Sequence, residues 1–330
     1  MILVMKDVAT AQKTLASATA TGLEHVFLNE NRVGFATVKT LAEVPFVDET
    51  AVVETITKHP AALKSSRLFH PADTIITTAH SQIGGDNFVF MAGPDSIESA
   101  EHIQRMGEAV KAAGATLLRG GSYKPRTSPY SFQGLGEAGL RMHRAAADAL
   151  GMDMITEIMD TRDVEIVGQY TDIFQVGTRN MQNFSLLKAL GAQNKPVALK
   201  RGMSATIDEL LSAAEYIAAG GNDQIIIIER GIRTFDNKYT RNTMDVSAIP
   251  VLQELTHYPV LADPSHAAGV AQHVAAVGLA AVAAGAQGLM VEIHDNPAAA
   301  FVDGAQALTP TQFAELAKKA VAIREVVKFR

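Results

Sequence analysis

The chain contains no cysteine, so it can form neither a disulfide nor a thiolate metal site, and any metal must sit on histidine, aspartate or glutamate. It also lacks an apolar run approaching the ~20 residues of a spanning helix, so no membrane association is expected. The opening MILVMKDVATAQ has too short an apolar part for a secretory signal, with no cleavage-like site after it. Positive charge is not in excess: 29 Lys and Arg against 35 Asp and Glu leave a net charge of −6. That argues against nucleic acid as a partner and confines any basic patch to one locality. These absences point to a cytoplasmic protein.

What is present is a core-forming chain, 330 residues long and 47% hydrophobic, enough for one large α/β domain and a small one. Residues 1–70 read as strand (2–5), helix (8–18), strand (26–28) and strand (33–37), a small α+β ferredoxin-like domain. It is expected to be open-faced and to need a packing partner. Residues 61–73, with Pro60 and Pro71 at the ends, read as a linker.

From residue 74 the pattern changes. A hairpin of 75–77 with 88–91 around Gly84 and Gly85 is expected. Then a short apolar run followed by a helical stretch recurs, with strands near 88–92, 116–118, 153–156, 172–176, 197–199, 224–228, 260–262 and 288–291. Continuous apolar strands are those buried on both faces, and the helices between them serve as crossovers. Eight such units predict a (β/α)8 TIM barrel over 71–330, since an open doubly wound sheet usually stops at five to seven strands.

Such barrels carry their chemistry at the C-terminal ends of the strands, and there every strand is polar. In order these residues are Asp95, Arg119, Glu157, Arg179, Lys200 with Arg201, Glu229 with Arg230, Asp263 with His266, and Glu292 with His294, while Asp303 lies in the last loop. The loop LLRGGSYKPRTSPYSFQGLG (117–136) adds Lys124 and Arg126 among glycines and prolines, fixed positive charge beside open backbone amides that suits a phosphorylated ligand. The cations Arg119, Lys124, Arg126, Arg179, Lys200 and Arg230 suffice for two phosphate-bearing ligands, or one phosphate and a carboxylate. Asp95, His266, Glu292 and Asp303 suit a divalent cation. They could equally be a carboxylate and histidine network that neutralises the cations. His294 and Asp263 are candidates for orienting the others.

The motifs MAGPDSIES (91–99), LRGGSYKPRTSPYSFQG (118–134), GTRNMQN (177–183), LKRG (199–202), ERGIRTF (229–235), DPSHAAG (263–269) and VEIHDNP (291–297) together resemble 3-deoxy-D-arabino-heptulosonate 7-phosphate (DAHP) synthase. The likeness covers nearly the whole chain and is greatest to the subgroup with an N-terminal ferredoxin-like domain. The alternative is 3-deoxy-D-manno-octulosonate 8-phosphate synthase, which takes arabinose 5-phosphate and typically has a KANRSS-like loop where KPRTSP (124–129) stands here. The resemblance implies condensation of phosphoenolpyruvate with D-erythrose 4-phosphate at the head of the shikimate pathway, leading to aromatic amino acids. It implies phosphoenolpyruvate on Arg119, Lys124, Arg179, Lys200 and Arg230, and the sugar phosphate on Arg126 and Thr127. It also implies a divalent metal on Asp95, His266, Glu292 and Asp303. Lys124 is expected to assist proton transfer, with His266 near both metal and phosphate. A homo-oligomer, dimer or tetramer, and allosteric inhibition through residues 1–70 are further family expectations.

One departure stands out. Metal-dependent members carry Cys at the position of Asp95, and metal-independent relatives of the octulosonate enzyme carry Asn. Aspartate keeps the negative charge but replaces sulfur with oxygen, which favours Mn²⁺ over thiophilic ions. Two competing readings remain at this stage: a lyase using Lys200 as a Schiff base, and an anion-binding protein that has lost its chemistry through Asp95.

Overall fold

Capping and spacing set the amino-terminal elements of the computed structural model, which describes residues 1–58, 62–126 and 128–327. It divides into two compact units, Met1–Asp73 with Glu254–His257, and Thr74–Gln253 with Tyr258–Arg330. In the first, strand β1 (Ile2–Met5) runs into helix α1 (Val8–Ala20), where Asp7 accepts the Thr10 amide at 2.7 Å as N-cap. Ala11, Thr14 and Ala18 bury one stripe of that helix. Strands β2 (Val26–Asn29), β3 (Arg32–Phe35) and β4 (Val52–Ile56) complete an antiparallel sheet in the order β2-β3-β1-β4. This is the ferredoxin-like arrangement, with short 3₁₀ turns at Leu41–Glu43 and Glu49–Ala51 between β3 and β4 where that fold carries its second helix.

One face of the sheet packs Leu3, Met5, Val33 and Phe35 against α1. The other is not open, as the sequence suggested. Leu63 and Phe69, from the stretch expected to be a linker, are buried against Ile2. Each contributes about 2 kcal/mol by burial, so 62–73 belongs to the folded unit; Pro60 and Ala61 lie outside the described residues.

The second unit begins with a two-stranded hairpin, but not the expected one. Strand β5 (Ile76–Thr77) pairs with β6 (Gln82–Ile83), in the register Ile76 to Ile83. Gly84 and Gly85, both at positive φ, only lead out of it. The expected partner stretch could not pair there, because β7 (Val89–Gly93) is hydrogen-bonded on both sides within the barrel. The hairpin closes the N-terminal end instead. Its Ile76 and Ile83 join the interior cluster with Met91, Leu117, Ile155, Ile226 and Met290, and Thr78 Oγ1 donates to Asp153 at a strand start.

Seven further parallel strands follow: β8 (Leu117–Arg119), β9 (Asp153–Ile158), β10 (Ile173–Val176), β11 (Val197–Lys200), β12 (Ile225–Glu229), β13 (Val260–Ala262) and β14 (Gly288–Glu292). With β7 they close as β10-β11-β12-β13-β14-β7-β8-β9, the predicted (β/α)8 barrel. The intervening helices are α2 (Ala100–Ala112), α3 (Gly136–Leu150), α4 (Val164–Tyr170), α5 (Phe184–Gly191), α6 (Ile207–Ala219) and α7 (Ala248–Leu255). The single helix expected after β13 is two, α8 (Pro264–Ala268) and α9 (Ala271–Ala283). They part at Gly269, in the left-handed region at φ 73, where a Cβ would meet that of Arg241 at 2.3 Å. After β14, α10 (Pro310–Val326) completes the ring. No described helix is long and apolar enough to cross a membrane.

On α3, His143 is buried, with Nε2 donating to Leu118 O at 3.0 Å, and burial holds its pKa down to about 3. The unfolded value is ~6.5, so between the two only the unfolded chain carries the proton. Stability therefore falls as pH drops below ~6.5, by about 1.4 kcal/mol per unit. Urea denaturation at pH 7, 6 and 5 should show that slope reduced by this amount in His143→Asn; an unchanged slope would mean that folded His143 takes up the proton.

Candidate active site

Two glycines let the first two rim loops interlock. A Cβ on Gly93 would come within 2.0 Å of Arg119 O, and one on Gly121 within 2.9 Å of Asp95 O. Without them Gly121 N donates to Asp95 O at 3.1 Å, and Ile97 N donates to Gly121 O at 3.0 Å. The side chains of Asp95, Arg119 and Lys124 are thereby forced together. Arg119 Nη1 lies 2.9 Å from Asp95 Oδ1, and Lys124 Nζ lies 2.7 Å from Oδ2. The same Nη1 donates to Glu292 Oε1, also at 2.9 Å, at the end of β14.

The far arc is built around Asp263, the N-cap of α8. Its Oδ1 accepts the His266 amide at 3.0 Å, and its Oδ2 accepts from Lys200 Nζ at 2.6 Å. His266 Nδ1 sits 2.8 Å from the same Oδ2, which turns Nε2 to within 3.3 Å of Glu292 Oε1. Gln306 Nε2 holds the other Glu292 oxygen at 2.6 Å. Asp303, left-handed at φ 51, receives Arg241 Nη1 at 2.9 Å.

Between the arcs lies a cavity of about 250 Å³, whose walls include Asp95, Lys124, Arg126, Arg179, Lys200, Arg230, Arg241, His266 and Asp303. Arg119 and Glu292 sit in the buried network behind it. Arg230 is only 3% exposed, yet its Nε and Nη1 have no hydrogen-bond partner. A buried guanidinium in that state is costly unless an anion completes it. The cavity is thus prepared for phosphate or carboxylate.

Charge within the network is divided unevenly. Burial disfavours an ionised Asp95, but Lys124 and Arg119 outweigh it and hold the carboxyl well below the usual range. Burial and then the neighbouring Asp95 push Glu292 well above it, against Arg119. Burial keeps His266 neutral, with a pKa of about 3. Neutral imidazole is the ligating form, and a divalent cation would ionise Glu292. Asp95, His266, Glu292 and Asp303 each offer one atom within 4.8 Å of the others. Each Asp95 oxygen is held by a cation, and His266 Nδ1 by Asp263, which leaves His266 Nε2 turned toward Glu292. One nitrogen and three carboxylates, brought within reach of one another, fit a hard to borderline divalent ion.

Nearly every residue singled out in the sequence reaches this cavity or the network behind it. Thr127 lies outside the described residues. Arg201 and Glu229 do not line the cavity; they pair with each other at 2.9 Å, and Arg201 also with Asp245 at 2.8 Å. Asp263 orients His266 and Lys200 as considered, but His294 faces Glu98 instead. Sequence reasoning missed Gln175 and Arg241, both on the cavity wall. Gln175 was visible as the one polar residue in the run IFQV of β10, whereas Arg241 lies inside a long loop with no positional signal.

The family model described as the DAHP synthetase I family matches residues 73–328. A phospho-2-dehydro-3-deoxyheptonate aldolase of Thermotoga maritima is 50% identical over 254 residues, 77% of this chain and 75% of the relative. A 2-dehydro-3-deoxyphosphooctonate aldolase of Koribacter versatilis is 30% identical over 267 residues, 74% of this chain and 94% of the relative. A crystal structure of phospho-2-dehydro-3-deoxyheptonate aldolase (DAHP synthase) from T. maritima superposes with a TM-score of 0.80 at 40% identity. It covers 98% of this chain and 97% of its own. A truncated form of the T. maritima synthase gives 0.75 at 43% identity, over 80% of this chain and 97% of its own.

The network and the cation site are separable by mutation. Asp95→Ala leaves Lys124 and Arg119 short of a buried counter-charge and should cost about 3 kcal/mol in urea denaturation. Asp303→Ala, at a side chain 26% exposed, should cost under ~1 kcal/mol. Both should lower Mn²⁺ affinity in equilibrium dialysis by at least roughly 10-fold, and undiminished binding in either would remove that residue from the ligand set.

Proposed function

The chain belongs to the DAHP synthetase I family, and from this we propose that its barrel condenses phosphoenolpyruvate with D-erythrose 4-phosphate and water, giving DAHP and inorganic phosphate. The observation that carries the reading is the cavity in which buried, unpaired Arg230 stands with Arg179, Lys200 and Lys124 beside a convergent set of oxygen and nitrogen ligands. Phosphoenolpyruvate is assigned to Arg119, Lys124, Arg179, Lys200 and Arg230, and the sugar phosphate to Arg126 and Thr127. Asp95, His266, Glu292 and Asp303 would hold a divalent ion, Mn²⁺ by the character of the donors, and its chemistry there is polarisation of the aldehyde.

The chain's own groups account for the rest. Fixed cations bring C3 of phosphoenolpyruvate against the aldehyde carbon, turning a bimolecular encounter into an oriented one. As the C3 to aldehyde bond forms, Lys124, anchored on Asp95, supplies the proton to the aldehyde oxygen. Water then adds at C2, phosphate leaves with its bridging oxygen, and C2 becomes the ketone. Cations that hold the phosphate in the ground state also stabilise it as leaving group. Residues 71–330 are the catalytic barrel in this reading, and residues 1–70 the regulatory domain of a dimer or tetramer, receiving an aromatic amino acid.

Phosphate release from phosphoenolpyruvate should require erythrose 4-phosphate and Mn²⁺, with arabinose 5-phosphate giving little; preference for the five-carbon sugar would transfer the protein to the octulosonate reaction. Borohydride with substrate should trap no imine on Lys200. Arg230→Ala should lower kcat/KM roughly 100-fold or more. Full turnover after chelation would exclude a metal role, and Asp95→Cys should raise Cd²⁺-supported relative to Mn²⁺-supported activity. Deletion of residues 1–70 should abolish inhibition by tyrosine or phenylalanine, and retained sensitivity would place the effector elsewhere.

A further inference from the structure

Outside the cavity, the start of α2 and the turn after β14 bring together Glu98, His102, His294 and Asp295. His102 is only 5% exposed, and its Nδ1 has no hydrogen-bond partner. A buried imidazole nitrogen with no partner is uncommon and signals a missing group. Around it Glu98 Oε2 lies 4.0 Å from His102 Nδ1 and 3.3 Å from His294 Nε2. The rings of the two histidines are 4.3 Å apart between centroids, tilted by 42°. Glu98, His102 and His294 each offer an atom within 4.8 Å of the others.

We propose that Glu98, His102 and His294 form a second metal site, separate from the cavity, that binds a borderline divalent ion such as Zn²⁺. Bonds of ~2.1 Å in a tetrahedral site hold ligand atoms ~3.4 Å apart, close to the spacing already present, and two imidazoles with one carboxylate suit Zn²⁺ better than Mg²⁺ or Ca²⁺. The ligands are Glu98 Oε2, His102 Nδ1 and His294 Nε2, with water in the fourth position.

The nitrogens facing away from that point both lie near one carboxylate oxygen. Asp295 Oδ1 is 3.3 Å from His102 Nε2 and 3.4 Å from His294 Nδ1, and Arg105 holds the other Asp295 oxygen at 2.8 Å. A carboxylate behind a metal-bound histidine fixes its tautomer and raises its basicity, and here one carboxylate serves two rings. Loading moves the His294 proton from Nε2 to Nδ1. The Asn296 amide that now donates to Nδ1 at 2.9 Å then passes to solvent, which Asn296, an exposed residue, can reach.

The position gives the site a use. Glu98 follows Asp95 by three residues, His294 follows Glu292 by two, and Glu98 Oε1 accepts the amide of Phe301, two residues before Asp303, at 2.9 Å. An ion here would pin together the three segments that carry Asp95, Glu292 and Asp303.

The inference stands without the catalytic reading, and its test is metal stoichiometry. Full-length protein stripped by chelator and dialysed against Zn²⁺ should hold two equivalents per chain. His102→Gln and Glu98→Gln should each hold one, His266→Gln should keep one, and Asp295→Asn should bind the second equivalent roughly 10- to 100-fold more weakly. The proposal fails if His102→Gln binds as much as the parent, or if His266→Gln binds none. Should the variants not fold, X-ray absorption on unaltered protein holding Mn²⁺ and one equivalent of Zn²⁺ decides it: scattering from two imidazoles supports the site, and from one or none overturns it.

Discussion

The rim of this barrel depends on Asp95 standing between Arg119 and Lys124. Two cations with their charged ends buried are tolerable only with anions in contact, and Asp95 meets both, one with each oxygen. Arg119 extends the network to Glu292, Glu292 meets His266, and His266 shares Asp263 with Lys200. Residues from five strand ends are thus fixed by a chain of contacts, each of which leaves the next little freedom. Arg230 stands outside that balance, and its unmet guanidinium nitrogens give the cavity its appetite for anions.

The barrel was legible because its strands are buried on both faces. Continuous runs such as IIIIE and GLMVE report that environment directly. The errors came where tertiary contacts overrule local pattern. Paired glycines suggested a turn at 84–85, yet β7 had no free edge to offer. Prolines suggested a linker at 61–73, but Leu63 and Phe69 meet an apolar sheet face that periodicity cannot place in space. The break between α8 and α9 depends on how closely Arg241 approaches Gly269, from another loop.

The site was legible to the extent that chemistry sits at strand ends. Asp95, His266, Glu292 and Asp303 converge as their residue types and motifs suggested. Arg201 and Glu229 have the same kind of position and yet satisfy each other, because partner choice depends on side-chain direction, which position alone does not give. Arg241 is the converse: no rule of position marked it, and only the path of the loop between β12 and α7 brings it to Asp303.

The four-residue piece Glu254–His257 that belongs with the amino-terminal unit sets an order of events during synthesis. Ser66 bridges to Thr256, Arg67 N donates to Leu255 O, and His70 stacks on His257. A chain emerging from the ribosome N-terminus first cannot make these contacts until six of the eight barrel strands and six of their helices are out. The first domain to be translated is therefore among the last to be finished, and it waits as a partly closed sheet for a strip of chain almost two hundred residues downstream.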